Sequence, residues 1–240
     1  MTARLSVQGI THSYGKKPAL NNVGFSLEKG SFCALLGPNG AGKSTLFSIL
    51  TRLFVADAGD VSVAGHSLSR APGKALARIG VVFQQPTLDL DLTVRRNLKY
   101  FAALHGISGT LADERIRAVL ERVSMSERMD EKVRALNGGH RRRMEIARAL
   151  IHEPQVLLLD EPTVGLDAAT RHAITAHVHD LADAQDLTVL WATHLVDEVR
   201  DDDRLIVLHQ GIVLADGSAA GIADGMTLQS RFLEMTGAGE

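Results

Sequence analysis

The feature that most constrains this chain is the run Gly37-Pro38-Asn39-Gly40-Ala41-Gly42-Lys43-Ser44, followed by Thr45. Before it stands Ser31–Leu36, a short apolar run that reads as a buried strand. After it, apolar spacing from Ser44 to about Leu53 reads as a helix. The glycines let the backbone curl until successive N–H groups face one concave anion site. The helix adds its positive N-terminal end. Lys43 supplies a full charge for β- and γ-phosphates, and the Ser44 hydroxyl is a ligand for Mg²⁺. A glycine-rich turn with a chance lysine has no reason to sit between a strand and a helix. The chain is therefore expected to fold as an α/β protein built around a bound phosphate.

A second run fits the same plan. Val156-Leu157-Leu158-Leu159-Asp160-Glu161-Pro162 puts two acids directly after four apolar residues. Ordinary surface acids would explain Glu161 alone, but not a pair at the end of a buried strand. That edge of an open α/β sheet is where ligands bind. Asp160 suits Mg²⁺, largely through its water shell. Glu161 is then free to orient and deprotonate an attacking water, a role worth roughly 10²–10⁴ in rate.

The 240 residues suit one domain, or one domain with a lobe inserted in it. Short β-rich segments open the chain at Leu5–Val7 and Val23–Leu27, with Asn21-Asn22 and Glu28-Lys29-Gly30 as turn signals. Further strands are expected at Val61–Val63, Ile79–Phe83, Val156–Asp160, Thr188–Ala192 and Leu205–Leu208. They alternate with helical stretches, the pattern of a parallel sheet wrapped by helices. From Thr93 to about His152 the periodicity is helical, with Val94, Leu98, Phe101 and Leu104 on one face. The expected organisation is a core of 1–86 and 153–217, a helical lobe of 87–152 and a short, small and polar tail of 218–240, with Gly237–Glu240 fraying.

The net charge of −2 argues against a general nucleic-acid binder, which usually carries a basic face. One cysteine, Cys33, lies in an apolar run, so it reads as a small core residue with no disulfide framework. The opening MTARLSVQGITHSYG has no apolar stretch after a basic region, so no secretory signal is expected. No window approaches the ~20 apolar residues of a spanning helix. If the chain works on a membrane, another chain supplies the membrane part.

Further residues complete a resemblance to the nucleotide-binding domains of ABC transporters over nearly the whole length. Tyr14, in Ser13-Tyr14-Gly15, resembles the aromatic that stacks on adenine. Gln84, after Gly80-Val81-Val82-Phe83, resembles the glutamine that touches Mg²⁺ or the water and reports to the membrane partner. Leu136-Asn137-Gly138-Gly139-His140 stands where the signature segment belongs, Gly165-Leu166-Asp167 resembles the D-loop, and Ala192-Thr193-His194 the switch histidine. The resemblance implies a P-loop NTPase (RecA-like) core with an N-terminal antiparallel β-subdomain and an inserted helical subdomain. It also implies ATP and Mg²⁺ as cofactors. Two such domains would meet as a homodimer or paired cassette with ATP at the interface, on the cytoplasmic face of the cell membrane beside a transmembrane permease subunit. Tyr14, residues 37–45, Asn137, Gly138, Gly139 and Asp167 would bind the nucleotide, each ATP lying on Lys43, Ser44 and Asp160 of one chain and Asn137, Gly138 and Gly139 of the other.

The signature departs from the family pattern: Asn137 stands for serine and His140 for glutamine. An asparagine amide is also a donor, so the contact is retained with altered geometry. Arg141-Arg142-Arg143 then opens a helix, although cations there oppose the helix dipole. A site that meets a triphosphate would tolerate them; a solvated basic face explains at least one. Tyr14 on residue chemistry alone reads equally as a strand-edge tyrosine. Gln85 reads as a loop residue. His172, His177 and His179 share a helix at spacings unsuited to a metal pair, and Asp201-Asp202-Asp203 reads as a solvated acidic turn.

Three functions compete. A transporter subunit accounts for the single cassette. A soluble ABC ATPase of translation or DNA repair usually carries two cassettes or a long coiled-coil insertion, and neither is here. Another P-loop enzyme, such as a small-molecule kinase, leaves Leu136–His140, Asp167 and His194 unexplained. Gln85-Pro86-Thr87 and Leu92–Leu98 resemble exporter cassettes, so export is the expected direction.

Overall fold

The computed structural model describes residues 3–237. In chain order the elements begin with β1 (Leu5–Tyr14), β2 (Lys17–Leu27), β3 (Phe32–Leu36), α1 (Lys43–Leu50), β4 (Ala58–Val63), β5 (His66–Ser67), α2 (Pro72–Leu76) and β6 (Ile79–Val82). Three longer helices follow, α3 (Val94–Leu104), α4 (Gly109–Arg122) and α5 (Gly138–Leu150). Then come β7 (Val156–Asp160), α6 (Ala168–Gln185), β8 (Thr188–Thr193), β9 (Arg204–His209), β10 (Ile212–Ser218), α7 (Ala219–Ala223) and α8 (Leu228–Thr236).

The strands form two sheets. A small antiparallel one has the order β2-β1-β4-β5, and a six-stranded one the order β10-β9-β3-β8-β7-β6. In the larger sheet only β10 runs antiparallel to its neighbour. Side chains alternate across it. Leu157, Leu159, Val189 and Trp191 join α3–α6 in one apolar cluster. Their neighbours Val156, Leu158 and Leu190 join α1 and the antiparallel sheet in another. Cover on both faces is what continuous apolar strands require. Cys33 lies in the second cluster, where burial pushes its thiol well above the ordinary value.

Several local expectations are corrected. Asn21-Asn22 is not a turn but a bulge inside β2, with Asn22 at φ 52°; the hairpin turns at Gly15-Lys16 instead. The strand β10 was not expected. In the tail, α7 and α8, which were not foreseen, cover the sheet near β9, where Phe232 is buried with Leu36 and Val207. Residues 238–240 lie outside the described structure. No helix of the described residues is long and apolar enough to cross a membrane.

Topology decides where chemistry can occur. β3, β8, β7 and β6 are adjacent and parallel. The residues that follow their carboxyl ends therefore meet along one edge. Those residues are the glycine loop after β3, His194 after β8, Glu161 after β7 and Gln84 shortly after β6.

Candidate functional site

The loop from Gly37 to Gly42 joins β3 to α1. Gly42 has φ 108°, and a Cβ there would stand 2.8 Å from the Ala19 carbonyl, so only glycine fits this corner. Helix α1 starts one residue earlier than the sequence suggests, at Lys43. The loop walls a cavity of about 650 Å³ lined by residues 39–45 with Tyr14, Gln84 and Glu161. Gly37 and Pro38 stand behind this wall. Their carbonyls accept from Lys43 Nζ at 2.7 and 3.3 Å.

The same ammonium lies 3.2 Å from Glu161 Oε1. The other Glu161 oxygen accepts from Gln84 Nε2 at 3.3 Å. His194 Nδ1 is 3.2 Å from that oxygen but is not aligned for a hydrogen bond. One carboxylate thus has three polar groups around it, drawn from the ends of three other strands. Glu161 holds φ 46°, a backbone conformation uncommon for a residue with a side chain.

Asp160, at the last position of β7, is buried as well, and its Oδ1 has no hydrogen-bond partner. Burial raises its carboxyl above the ordinary value, the Glu161 charge adds to this, and Lys43 and the Ser44 hydroxyl pull it down. A buried carboxylate oxygen without a partner is unfavourable by itself. Beside a serine hydroxyl at the mouth of a phosphate loop, it fits a hydrated divalent cation.

Tyr14 ends β1 half exposed. Its ring meets His12 and Phe54 edge-on at 5.2 and 5.9 Å, and its hydroxyl is 3.3 Å from Thr45 Oγ1. Tyr14 also lines the cavity. The structure also adds wall residues that sequence reasoning missed, namely residues 17–19 and Gln210. Gly211 N donates to Ala41 O at 2.9 Å, and Gly211 O accepts from Asn21 N at 2.8 Å. The Gln210-Gly211 turn therefore braces the loop against β2. A Gln-Gly pair between two apolar runs was the available signal.

Asn137, Gly138, Gly139 and Asp167 do not line this cavity; they gather elsewhere. Asn137 Oδ1 accepts from His140 N at 2.8 Å and caps α5. Asp167 caps α6, accepting from Thr170 N at 2.9 Å and from Thr170 Oγ1 at 2.7 Å. A Cβ on Gly139 would stand 2.6 Å from Thr170 Cγ2, so the two caps pack together.

Two expectations are corrected here. Arg142 neither faces a phosphate nor forms a solvated basic face. It is buried, donates to the carbonyls of Phe83 and Gln84 at 2.8 and 3.2 Å, and pairs with Glu145. Nor is Asp203 solvated: it is buried, 2.8 Å from His179 Nε2. Another polar anchor went unnoticed. Glu198 is buried, accepts from Trp191 Nε1 at 2.9 Å and from the Thr163 hydroxyl, and so ties the segment after Glu161 to the one after His194.

A glycine loop heading a helix after β3, with two acids at the end of β7, the parallel strand one place beyond β8, defines a P-loop nucleoside triphosphate hydrolase. More narrowly, the chain belongs to the ABC transporter family, whose model matches residues 20–164. It is 38% identical over 215 residues to the linearmycin resistance ATP-binding protein LnrL of Bacillus subtilis (strain 168), covering 89% of this chain and 69% of that one. It is 40% identical over 217 residues to the Nod factor export ATP-binding protein I of Rhizobium meliloti (strain 1021), covering 90% and 64%. Among solved structures, cbiO1 from Clostridium perfringens, part of the ABC transporter complex cbiONQ, superimposes with a TM-score of 0.86 at 27% identity, covering 98% and 96%. The chain is thus an ATP-binding, ATP-hydrolysing subunit of the ABC transporter class, whose members work with transmembrane permease partners.

Proposed function

We propose that this subunit hydrolyses Mg²⁺–ATP between two cassettes and drives export through a separate transmembrane partner. The observation that carries the reading is the Glu161 carboxylate within 3.3 Å of Lys43, Gln84 and His194, on the wall of the phosphate-loop cavity. In it, residues 39–45 hold the triphosphate through backbone N–H groups, the α1 dipole and the Lys43 charge, while the carbonyls of Gly37 and Pro38 hold the Lys43 ammonium. Tyr14 offers a ring face to the base. Ser44, Asp160 and Gln84 would hold Mg²⁺, which supplies charge neutralisation at the β- and γ-oxygens. Glu161 takes the proton of the attacking water. Gln84 and Lys43, one on each oxygen, orient the carboxylate, and His194 steadies the γ-phosphate. No covalent intermediate is needed, since such catalysis is positioning and electrostatics.

The same reading gives Asn137, Gly138, Gly139 and Asp167 to the ATP of a second copy. That they lie outside this chain's own cavity supports it, as does the α5 N-terminus that Asn137, Gly138 and Gly139 form, a ready anion site. The helices of 87–152 would be the lobe that moves against the core of 1–86 and 153–217, with 218–240 an addition to that core. Export follows the names of the two relatives, one tied to linearmycin resistance and one to Nod factor export. The subunit would then sit on the cytoplasmic face of the cell membrane.

The test is recovery of tagged Glu161→Gln protein from detergent-solubilised membranes of its source cells with ATP and Mg²⁺. We expect a multi-span membrane protein in near-equal amount. Recovery of soluble or ribosomal partners alone would remove the transporter-coupled part of the reading.

A further inference from the structure

Gln84 stands on irregular backbone after β6, and what fixes that backbone comes from α5. Arg142 Nη1 donates to Phe83 O at 2.8 Å and Nη2 to Gln84 O at 3.2 Å. Its Nη1 also pairs with Glu145 Oε2 at 2.7 Å, while Glu145 Oε1 accepts from Thr87 N at 2.8 Å. One turn on, Arg148 donates to the Thr87 hydroxyl and to Val81 O, with its guanidinium 4.7 Å from the Phe101 ring centroid. Three side chains along one helix face thus grip the stretch from Val81 to Thr87 on both sides of Gln84.

Stability is a poor reason for this arrangement. All three side chains are buried, and replacing a buried ion pair by apolar residues of similar volume is often neutral or stabilising. What the charges supply is a defined path for the backbone, because the guanidinium fork donates well only to carbonyls in certain places. The N-terminus of the same helix is the Asn137–Gly139 segment, little more than one turn from Arg142. At the other end of the chain of contacts, Gln84 Nε2 reaches Glu161.

We propose that Arg142, held by Glu145, is the positioning residue for Gln84. Through it, the placement of the Asn137–Gly139 end of α5 sets the Gln84 carboxamide and so the Glu161 carboxylate. The proposal rests on the reading that Glu161 activates water and that Asn137–Gly139 engages a second chain's ATP. When phosphate contact tilts α5, the guanidinium moves and the carbonyls of Phe83 and Gln84 move with it. Hydrolysis in one cavity is thereby tied to closure on the other.

The experiment compares full-length wild type, Arg142→Met/Glu145→Leu and Arg142→Lys by melting temperature, ATP affinity and steady-state ATPase over a range of ATP concentrations. In the double variant we expect the melting temperature at or above wild type, ATP affinity within about twofold, and kcat lower by about tenfold to a hundredfold. Arg142→Lys, which keeps a donor without the fork, should recover part of the kcat. Wild-type kcat in the double variant would overturn the proposal. So would a parallel loss of melting temperature, affinity and kcat, the mark of a merely structural pair. If the double variant does not fold, Arg142→Lys decides: lowered kcat at unchanged melting temperature sustains the proposal, and wild-type kcat overturns it. A wild-type chain without hydrolysis would overturn the functional reading as well, which separates the two failures.

Discussion

Asp160 and Glu161 are adjacent in sequence, yet their surroundings differ. Glu161 has three polar neighbours, whereas one oxygen of Asp160 has none. Burial, then the Glu161 charge, raise the Asp160 carboxyl above its ordinary 3.8. Folding therefore favours its protonated form. That contribution is full below the ordinary value and is lost as pH rises through the raised one. At neutral pH the ionised side chain thus destabilises the nucleotide-free fold. Asp160→Asn should melt at a higher temperature than wild type at pH 7, while ATPase with Mg²⁺ falls by at least about a hundredfold. A lower melting temperature, or retained turnover, would contradict this account of the site. The acids were legible in the sequence because four apolar residues precede them. Arg142, Asp203 and Glu198 were not, because what buries a charge is its partner. Phe83 lies 59 residues before Arg142, and His179 lies 24 before Asp203.

Elements were read well where their apolar spacing is their own and poorly where neighbours define them. Strands β3, β7 and β8 carry unbroken apolar runs, and their bounds were foreseen within a residue. β10 is half covered and mixed, so no alternation marks it. In the tail, Ser218 and Thr227 are caps: their hydroxyls accept from Gly221 N and Ser230 N, each at 3.1 Å. Two of the small polar residues of this tail are thus helix starts, which composition alone did not mark. Where α5 ends, His152 joins three elements. Its Nε2 is 2.9 Å from Ile79 O, and its ring stacks on His105 at 4.0 Å. Burial first, then the charges of His105 and Arg115, lower its pKa from 6.5 to about 4. A depressed histidine favours the fold above its ordinary value, and that stability is lost as pH falls from 6.5 through about 4. The loss is on the order of 3 kcal/mol. His152→Gln, which keeps a donor for Ile79 O, should show a shallower fall in melting temperature between pH 6.5 and 4. Equal slopes for the two proteins would contradict the assignment.

At the scale of the whole molecule, Lys43, Gln84, Glu161 and His194 are spread over most of the chain. They meet because β3, β8, β7 and β6 lie side by side and point the same way. That convergence was legible, since Glu161, His194 and Gln84 come one or two residues after an apolar strand and Lys43 closes the glycine loop after another. Which motif residues serve this chain's cavity and which stand apart from it was not legible on residue chemistry, because spacing along a chain carries no distance through space. The structure separates Asn137–Gly139 and Asp167 from the cavity and packs them together. The central claim is that Glu161 is the base of an ATP-hydrolysing site whose binding parts work without it. It is tested by measuring steady-state ATP hydrolysis and ATP affinity of wild type and Glu161→Gln side by side. The account predicts affinity within about threefold and turnover lower by roughly 10²–10⁴. Turnover near wild type in Glu161→Gln, or a loss of binding as large as the loss of turnover, would contradict it.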